Sequence, residues 1–166
     1  ILYCKPSARD GSVVGDCPFT HYARMALEIA EASYVLEPTA KADKPQWLLD
    51  DHGGSMPCLS PAADGVGAVS ESATIASTAL PPTRVDEASI EATSSLFGAI
   101  AKFVKNTDAT KDDDLRAGLE AALAELEARL ASLDAPFLSG TSKPGLADCS
   151  VATKLYVLAV AGRHYK

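Results

Sequence analysis

A cysteine followed by a proline stands directly in front of an amphipathic segment in "GDCPFTHYARMALEIAEA", residues 15–32. Proline is favoured at the first position of a helix, so this order predicts that Cys17 is the N-cap residue and Pro18 the first helical residue. The free N–H groups of the first turn would then face the sulfur of Cys17. Such a position stabilises the thiolate, which is the nucleophilic form of cysteine.

The helix terminus alone contributes at most about 2 kcal/mol to a charge beside it, so a persistent thiolate also needs a cation. Lys5, at the end of the first predicted strand, is the candidate. Asp16 opposes ionisation of the thiol, and we expect it to hold Lys5 and the loop or to handle a proton of the substrate. His21 is expected to be an exposed residue of the first turn. The alternative interpretation is that Cys17 is an inert capping residue.

Threonine stands at position 20, where a dithiol enzyme has its second cysteine. A protein with one reactive cysteine needs an external thiol to regenerate it.

Further along the chain, several residues are suited to holding a peptide-like thiol. After "HGGS", Met56-Pro57 begins a strand, and a cis proline there would expose the Met56 backbone for pairing with an extended peptide. Glu71 and Ser72 precede a predicted helix, where Ser72 and the free amides can bind a carboxylate and Glu71 an ammonium group. Taken singly, Ser72 is typical of an N-cap and Lys44 of a surface lysine.

Composition narrows the function classes. The 166 residues carry a net charge of −7, with a pI near 4.9, which argues against nucleic acid or an anionic membrane as partner. No apolar run is long enough to span a membrane, and the first residues do not resemble a signal peptide. These features predict a soluble intracellular protein.

The four cysteines are widely spaced, so we expect free thiols rather than disulfides. Cys4 and Cys149 lie in apolar patterns typical of a core. Cys58 is expected at a packed strand position, with partial accessibility beside the strand that can pair with a peptide as the alternative. The histidines are scattered and no metal-ligand spacing occurs, so no metal site is expected.

Residues 1–80 alternate between strand and helix patterns and end in a hairpin and a helix, which predicts an α/β unit of thioredoxin type. Its first helix is expected over 18–32, with the following residues on its buried face: Phe19, Tyr22, Met25, Ala26 and Ile29. After the break at "PPTRVDE", residues 85–166 are helical throughout. Helices are predicted over 88–106 and 115–133, with a solvated acidic turn between them, and a buried central helix begins at Leu146.

Four stretches of the sequence resemble plant-type dehydroascorbate reductases, a branch of the glutathione transferase superfamily: "CKPSARDGSVVGDCPF", "DKPQWLLD", "SMPCL" with its following "SES", and "APFLSGTSKPGLADCSVATKLYVLAVAGRHYK". The resemblance covers essentially the whole chain. It implies a thioredoxin-like, glutathione-binding N-terminal domain and an all-α C-terminal domain. The family continues past Lys166 with further helices that help to wall the second-substrate pocket.

The resemblance also implies a role for each candidate residue. Cys17 corresponds to the catalytic nucleophile, with Lys5 and Asp16 as the groups that bind dehydroascorbate and activate the thiol. The glutathione-binding positions correspond to Lys44 for the glycine carboxylate, Met56 and Pro57 for the cysteinyl backbone, and Glu71 and Ser72 for the γ-glutamyl head. Three positions depart from the family pattern: Ser55, Cys58 and Gly145, the last of which leaves Asp148 without its usual capping partner.

The implied reaction is a ping-pong reduction of dehydroascorbate, with glutathione as co-substrate and no bound cofactor. The family is commonly monomeric and occurs in the cytosol, our first expectation, and in the plastid stroma. Two alternatives stay open. One is an omega-like thiol transferase or deglutathionylase, and the other is a membrane-associating protein like the chloride intracellular channels.

Overall fold

Four short strands form one mixed sheet in the first half of the chain. They are β1 (Leu2–Cys4), β2 (Leu36–Pro38), β3 (Cys58–Leu59) and β4 (Val69–Ser70). Their order is β2-β1-β3-β4, with β1 parallel to β2 and the other two pairs antiparallel. The computed structural model describes all residues, Ile1–Lys166, and divides them into two units, Ile1–Pro81 and Pro82–Lys166. The thioredoxin-like sheet predicted for the first unit is confirmed.

Three helices complete this unit: α1 (Pro18–Ile29), α2 (Gln46–His52) and α3 (Ser72–Ala79). The buried residues of α1 are Thr20, Ala23, Ala26 and Leu27. Of the predicted face, Ala26 is buried, and Tyr22, Met25 and Ile29 are only half-buried, so that prediction was right in part. Small side chains lie inward because α1 packs closely against α3. Phe19, expected in the core, is 51% exposed.

The segment between α2 and β3 reverses the chain direction with two glycines. Gly53 ends α2 in the left-handed conformation with φ 58°, and Gly54 follows with φ 70°. Glycine adopts this conformation without steric cost. The Met56-Pro57 peptide bond, which follows them, is cis, as the sequence predicts.

The second unit contains four helices: α4 (Arg84–Ala92), α5 (Ser95–Lys105), α6 (Asp112–Ala131) and α7 (Leu146–Tyr165). The single helix expected over 88–106 is therefore wrong, because the chain breaks at Thr93 and Ser94. Side chains of this type favour helix ends because they compete for backbone hydrogen bonds. The three aspartates expected in a solvated turn, 112–114, instead form the first turn of α6, where the helix dipole favours negative charge.

The core of this unit lies between α5, α6 and α7. Its buried members include Leu96, Ile100, Leu126, Ala147 and Val151. The expectation that α7 is buried along its whole length is only half correct. Its buried residues all precede Lys154, and its second half exposes Tyr156 and Val160 by 65% and 54%.

Two carboxylates hold the start of α7. Asp148 accepts hydrogen bonds from the backbone N–H groups of Leu138, Ser139 and Gly145, so its own half of the capping box is formed although glycine at position 145 offers no side chain in return. Asp86, which is 2% exposed, accepts from Ala147 N at 3.1 Å. Asp86 also accepts from the backbone and hydroxyl of Thr83 at the start of α4. One buried carboxylate thus joins two helix N-termini.

Glycine at position 145 follows from this arrangement. A Cβ atom there would lie 2.6 Å from Asp86 Oδ1 and 2.7 Å from the Cβ of Ser139, which is closer than real Cβ contacts. A serine or threonine at position 145 would therefore collide with the carboxylate of Asp86, which itself accepts a hydrogen bond from the first turn of α7.

We predict that Asp86→Ala lowers the free energy of unfolding of the helical unit by about 2 kcal/mol or more, because it leaves buried N–H groups at both helix starts without an acceptor. Urea unfolding followed by circular dichroism measures this. Asp134→Ala, which removes an exposed carboxylate of the same unit, is the control and should change stability little. Equal unfolding midpoints for the two variants would contradict the assignment.

Candidate active site

Cys17 occupies the N-cap position of α1, as predicted, with Pro18 at the first helical position. Its backbone is extended, with φ −65° and ψ 115°, and no side chain caps this helix end. The Cys17 side chain makes no hydrogen bond to the N–H groups of the first turn, so the amide–sulfur contact expected from the sequence is not formed here. Cys17 is half-buried, whereas each of the other three cysteines has an exposed fraction of 0%.

The loop before Cys17 is tied to the end of β1. Gly15 N donates to Lys5 O at 2.8 Å, and Pro6 and Val14 form an antiparallel bridge. A Cβ atom at Gly15 would lie 2.5 Å from Pro6 O, so the two chain segments approach too closely for any other residue. This close contact brings the positions of Lys5, Asp16 and Cys17 to one edge of the sheet.

His21 strengthens the same loop, which sequence analysis did not predict. Its side chain is half-buried, and Nε2 donates to Gly15 O at 3.1 Å. His21 N also donates to Cys17 O at 3.1 Å, the first hydrogen bond of α1. The histidine expected to be exposed in fact joins the helix to the turn that carries Cys17.

Lys5 and Asp16 are both exposed and do not pair with each other, since the ion pairs of the protein lie in the second unit. The expectation that Asp16 holds Lys5 was therefore wrong. Both side chains extend into solvent from positions beside Cys17. There they are available to a ligand rather than engaged in the fold.

A cleft of about 220 Å³ lies in the first unit, and it brings together four of the predicted glutathione-binding residues. Its lining consists of Phe19, Ser55, Met56, Pro57, Glu71 and Ser72. Phe19 comes two residues after Cys17, so α1 connects the thiol to the wall of the cleft. Phe19 and Ser55 were not predicted to line a site; the position of Phe19 beside Cys17-Pro18 was the signal available.

Glu71 and Ser72 stand at the start of α3. Glu71 is its N-cap residue, with φ 75°, and no side chain caps this helix. The first-turn N–H groups of α3 are thus without a side-chain acceptor next to the cleft, as an anion-binding helix start requires. His52 supports the preceding residue, because its Nδ1 hydrogen-bonds to Ser70 Oγ at 3.2 Å. Sequence analysis missed this contact.

Lys44 does not line the cleft. Its Nζ donates to Gly54 O at 2.6 Å, which fixes the half-buried ammonium group beside the turn that leads into Ser55. An ammonium group has three donors, so two are left for a ligand.

Burial separates the other thiols chemically from Cys17. It raises the pKa of Cys58 and that of Cys149 to about 11. The pKa of Cys4 is also raised by burial, with a smaller opposing effect of the Arg24 charge. These thiols stay protonated at neutral pH, and a protonated thiol is a poor nucleophile.

A larger groove of about 490 Å³ lies between α5 and α6, and it contains none of the predicted site residues.

No group of three His, Cys, Asp or Glu side chains is arranged to hold a metal ion. Every helix is too short or too polar to cross a lipid bilayer.

Comparisons with known proteins agree with this architecture. Residues 86–165 match the family described as the C-terminal domain of glutathione S-transferase. The solved structure of glutathione transferase Omega 3C from Trametes versicolor superposes with a TM-score of 0.74 at 18% identity, over 99% of this chain and 76% of that one. A thioredoxin-like unit followed by such a helical domain defines the glutathione S-transferase fold.

More specific relatives identify the branch. Glutathione S-transferase DHAR2 of Arabidopsis thaliana is 36% identical over 93% of this chain and 72% of its own length. A probable chloroplastic DHAR2 of rice is 29% identical, and the chain spans 56% of its length. The crystal structure of Chlamydomonas reinhardtii dehydroascorbate reductase has a TM-score of 0.77 at 27% identity, covering 99% of this chain and 78% of that one. The chain belongs to the dehydroascorbate reductase branch of the glutathione S-transferase superfamily.

We predict that iodoacetamide at about pH 8 alkylates the native protein at Cys17 and leaves the other cysteines unmodified, because they are buried and their thiols are protonated at that pH. Peptide mapping by mass spectrometry measures the label. In urea all four cysteines should react, which is the control for detection. Equal labelling of Cys58 and Cys17 in the native state would contradict the burial argument.

Proposed function

We propose that this protein reduces dehydroascorbate to ascorbate with glutathione, through Cys17 as its single catalytic cysteine. The observation that carries the proposal is the position of the one accessible thiol. Cys17 stands at an uncapped helix start, and α1 leads from it to the cleft lined by Met56 and Glu71. The named relatives of this branch support the choice of substrate.

Glutathione would bind in the cleft of the first unit. The backbone of Met56 beside the cis bond to Pro57 would pair with the cysteinyl residue in the manner of an added strand. Ser72 and the first-turn amides of α3 would hold the γ-glutamyl carboxylate, and Glu71 its ammonium group. Lys44 would use its remaining donors for the glycine carboxylate.

Dehydroascorbate would bind at the thiol itself. Lys5 and Asp16 are exposed and unpaired beside Cys17, so both can contact a small polar substrate that arrives from solvent. Lys5 would stabilise the negative charge that develops on the reduced product, and Asp16 would transfer a proton.

The proposed cycle balances in three steps. The Cys17 thiolate gives two electrons to dehydroascorbate, water supplies the oxygen, and the products are ascorbate and a sulfenic acid. One glutathione then condenses with the sulfenic acid to a mixed disulfide and releases that water. A second glutathione attacks the mixed disulfide, which releases glutathione disulfide and restores the thiolate.

We further propose that the protein acts as a monomer on small-molecule substrates and needs no bound cofactor. For the compartment we propose the cytosol, with the plastid stroma as the alternative. The rice relatives in the comparison are described as one chloroplastic and one cytosolic protein.

We predict that Cys17→Ser lowers glutathione-dependent ascorbate formation by at least about a hundredfold, because a serine hydroxyl cannot form the sulfenic acid or the mixed disulfide. Ascorbate absorbance measures the rate. Cys149→Ala, which changes a buried thiol of the helical unit, is the control and should retain activity. Undiminished turnover by Cys17→Ser would refute the proposal.

Two further measurements on the wild-type protein distinguish the alternative functions. A wild-type protein that turns over hydroxyethyl disulfide faster than dehydroascorbate would be an omega-like thiol transferase. Binding to liposomes under oxidising conditions, without turnover of either substrate, would favour the membrane-associating alternative.

We predict that Glu71→Gln raises the KM for glutathione about tenfold, because it removes a charge-assisted hydrogen bond to the substrate ammonium group. The KM for dehydroascorbate should stay unchanged, since Glu71 belongs to the cleft and not to the thiol end. Steady-state kinetics with each substrate varied in turn measures both constants. Glu37→Gln, an exposed carboxylate on β2 of the same unit, is the matched control. A change in both KM values would contradict the assignment of Glu71 to the glutathione side.

A further inference from the structure

The hydroxyl group of Thr20 is buried and has no hydrogen-bond partner. The residue has an exposed fraction of 0%, and its Oγ1 contacts no donor or acceptor within hydrogen-bond distance. Buried polar groups are almost always paired, and each exception in a native protein requires an explanation. Thr20 lies on α1, three residues after Cys17.

The three other buried threonines show the usual solution. Thr93, the C-cap residue of α4, donates to Ser89 O at 2.8 Å, and Thr153, within α7, donates to Ser150 O at 3.1 Å. Thr39 donates to Glu37 O at 2.9 Å. For Thr20 the carbonyl four residues earlier lies outside α1, and the carbonyl three residues earlier, that of Cys17, accepts from His21 N.

The position of Thr20 points to another partner. At the start of a helix the side chains of the N-cap residue and of the third helical residue face each other. Cys17 is the N-cap of α1 and Thr20 its third residue, so the two side chains are neighbours, although no hydrogen bond joins them in the structure. A protonated thiol is a weak acceptor, but an ionised sulfur accepts hydrogen bonds strongly, as charged acceptors do.

We propose that Thr20 is a positioning residue whose hydroxyl group donates a hydrogen bond to the Cys17 sulfur when that sulfur is ionised or bears the developing charge of a leaving thiolate. The inference rests on the proposed role of Cys17 and adds one donor to the helix amides. It also explains why a chain without a second cysteine keeps a buried polar group at position 20.

The neighbouring groups do not replace this donor. On α1, His21 is bound to Gly15 O. Arg24, one turn after Thr20, has a buried Nε that also makes no hydrogen bond, and its charge acts on the thiol of Cys4 in β1.

Lys5, exposed at the end of β1, is the other cation near Cys17, and it contributes charge without being buried against the helix. Asp16, in the preceding loop, is exposed and opposes a negative sulfur. The packed helix α3, "SATIASTA", contains no titratable side chain.

The test measures the rate of Cys17 alkylation by iodoacetamide between about pH 4 and pH 10, without substrates. Thr20→Val keeps the shape of the side chain and removes the hydroxyl, so the midpoint of the rate profile should rise by about one pH unit. Thr20→Ala should show the same rise and serves if the valine variant does not fold. Thr20→Ser keeps a hydroxyl and should restore the wild-type midpoint.

Thr153→Val is the matched control, because it removes a buried threonine hydroxyl from the helical unit. It should leave the Cys17 profile unchanged. The inference is overturned if Thr20→Val and Thr20→Ala both keep the wild-type midpoint, or if Thr20→Ser shifts it as far as valine does. A purely structural role for Thr20 would alter stability and not this profile.

Turnover assays on the same variants separate this inference from the proposed function. A wild-type protein that does not reduce dehydroascorbate, but whose alkylation midpoint rises in Thr20→Val, would refute the function and support the role of Thr20. An active wild-type protein with an unchanged midpoint in Thr20→Val and Thr20→Ala would support the function and refute that role.

Discussion

The start of α1 at Pro18 is the constraint on which the site depends. Because proline has no N–H group and favours the first helical position, the helix begins immediately after Cys17 and makes that residue the N-cap. The close contact between Gly15 and Pro6 then fixes the loop against β1. The sulfur of Cys17 is thus positioned by backbone geometry, and the side chains of Lys5 and Asp16 around it are exposed.

Much of this site could be predicted from local sequence. The Cys-Pro order fixes the N-cap. Residues 56–57 and 71–72 come together because the start of β3 and the end of β4 meet at the same end of this antiparallel pair. The failures concern tertiary packing. The face of α1 was assigned by size, whereas contact with α3 selects small residues and leaves Phe19 at the cleft. Likewise, the contact of His21 with Gly15 O depends on how the loop folds back.

In the second unit, too, patterns in the local sequence did not predict contacts between distant residues. A conventional cap for α7 was expected from residues next to it, and glycine at position 145 therefore looked like a defect. In the structure the acceptor comes from Asp86, 61 residues earlier, and the missing side chain makes room for it. The break between α4 and α5 was also missed, because Thr93 and Ser94 sit within an otherwise continuous helical pattern.

Because three of the four cysteine sulfur atoms are buried, peroxide should oxidise the cysteines of the folded protein in a definite order. Oxidation of cysteine proceeds from the reversible sulfenic acid to irreversible acids, and it selects accessible thiolates. Oxidation of the folded chain would therefore begin at the sulfur of Cys17, which is the one accessible thiol. The sulfurs of Cys4, Cys58 and Cys149 would be reached only after the surrounding core had opened.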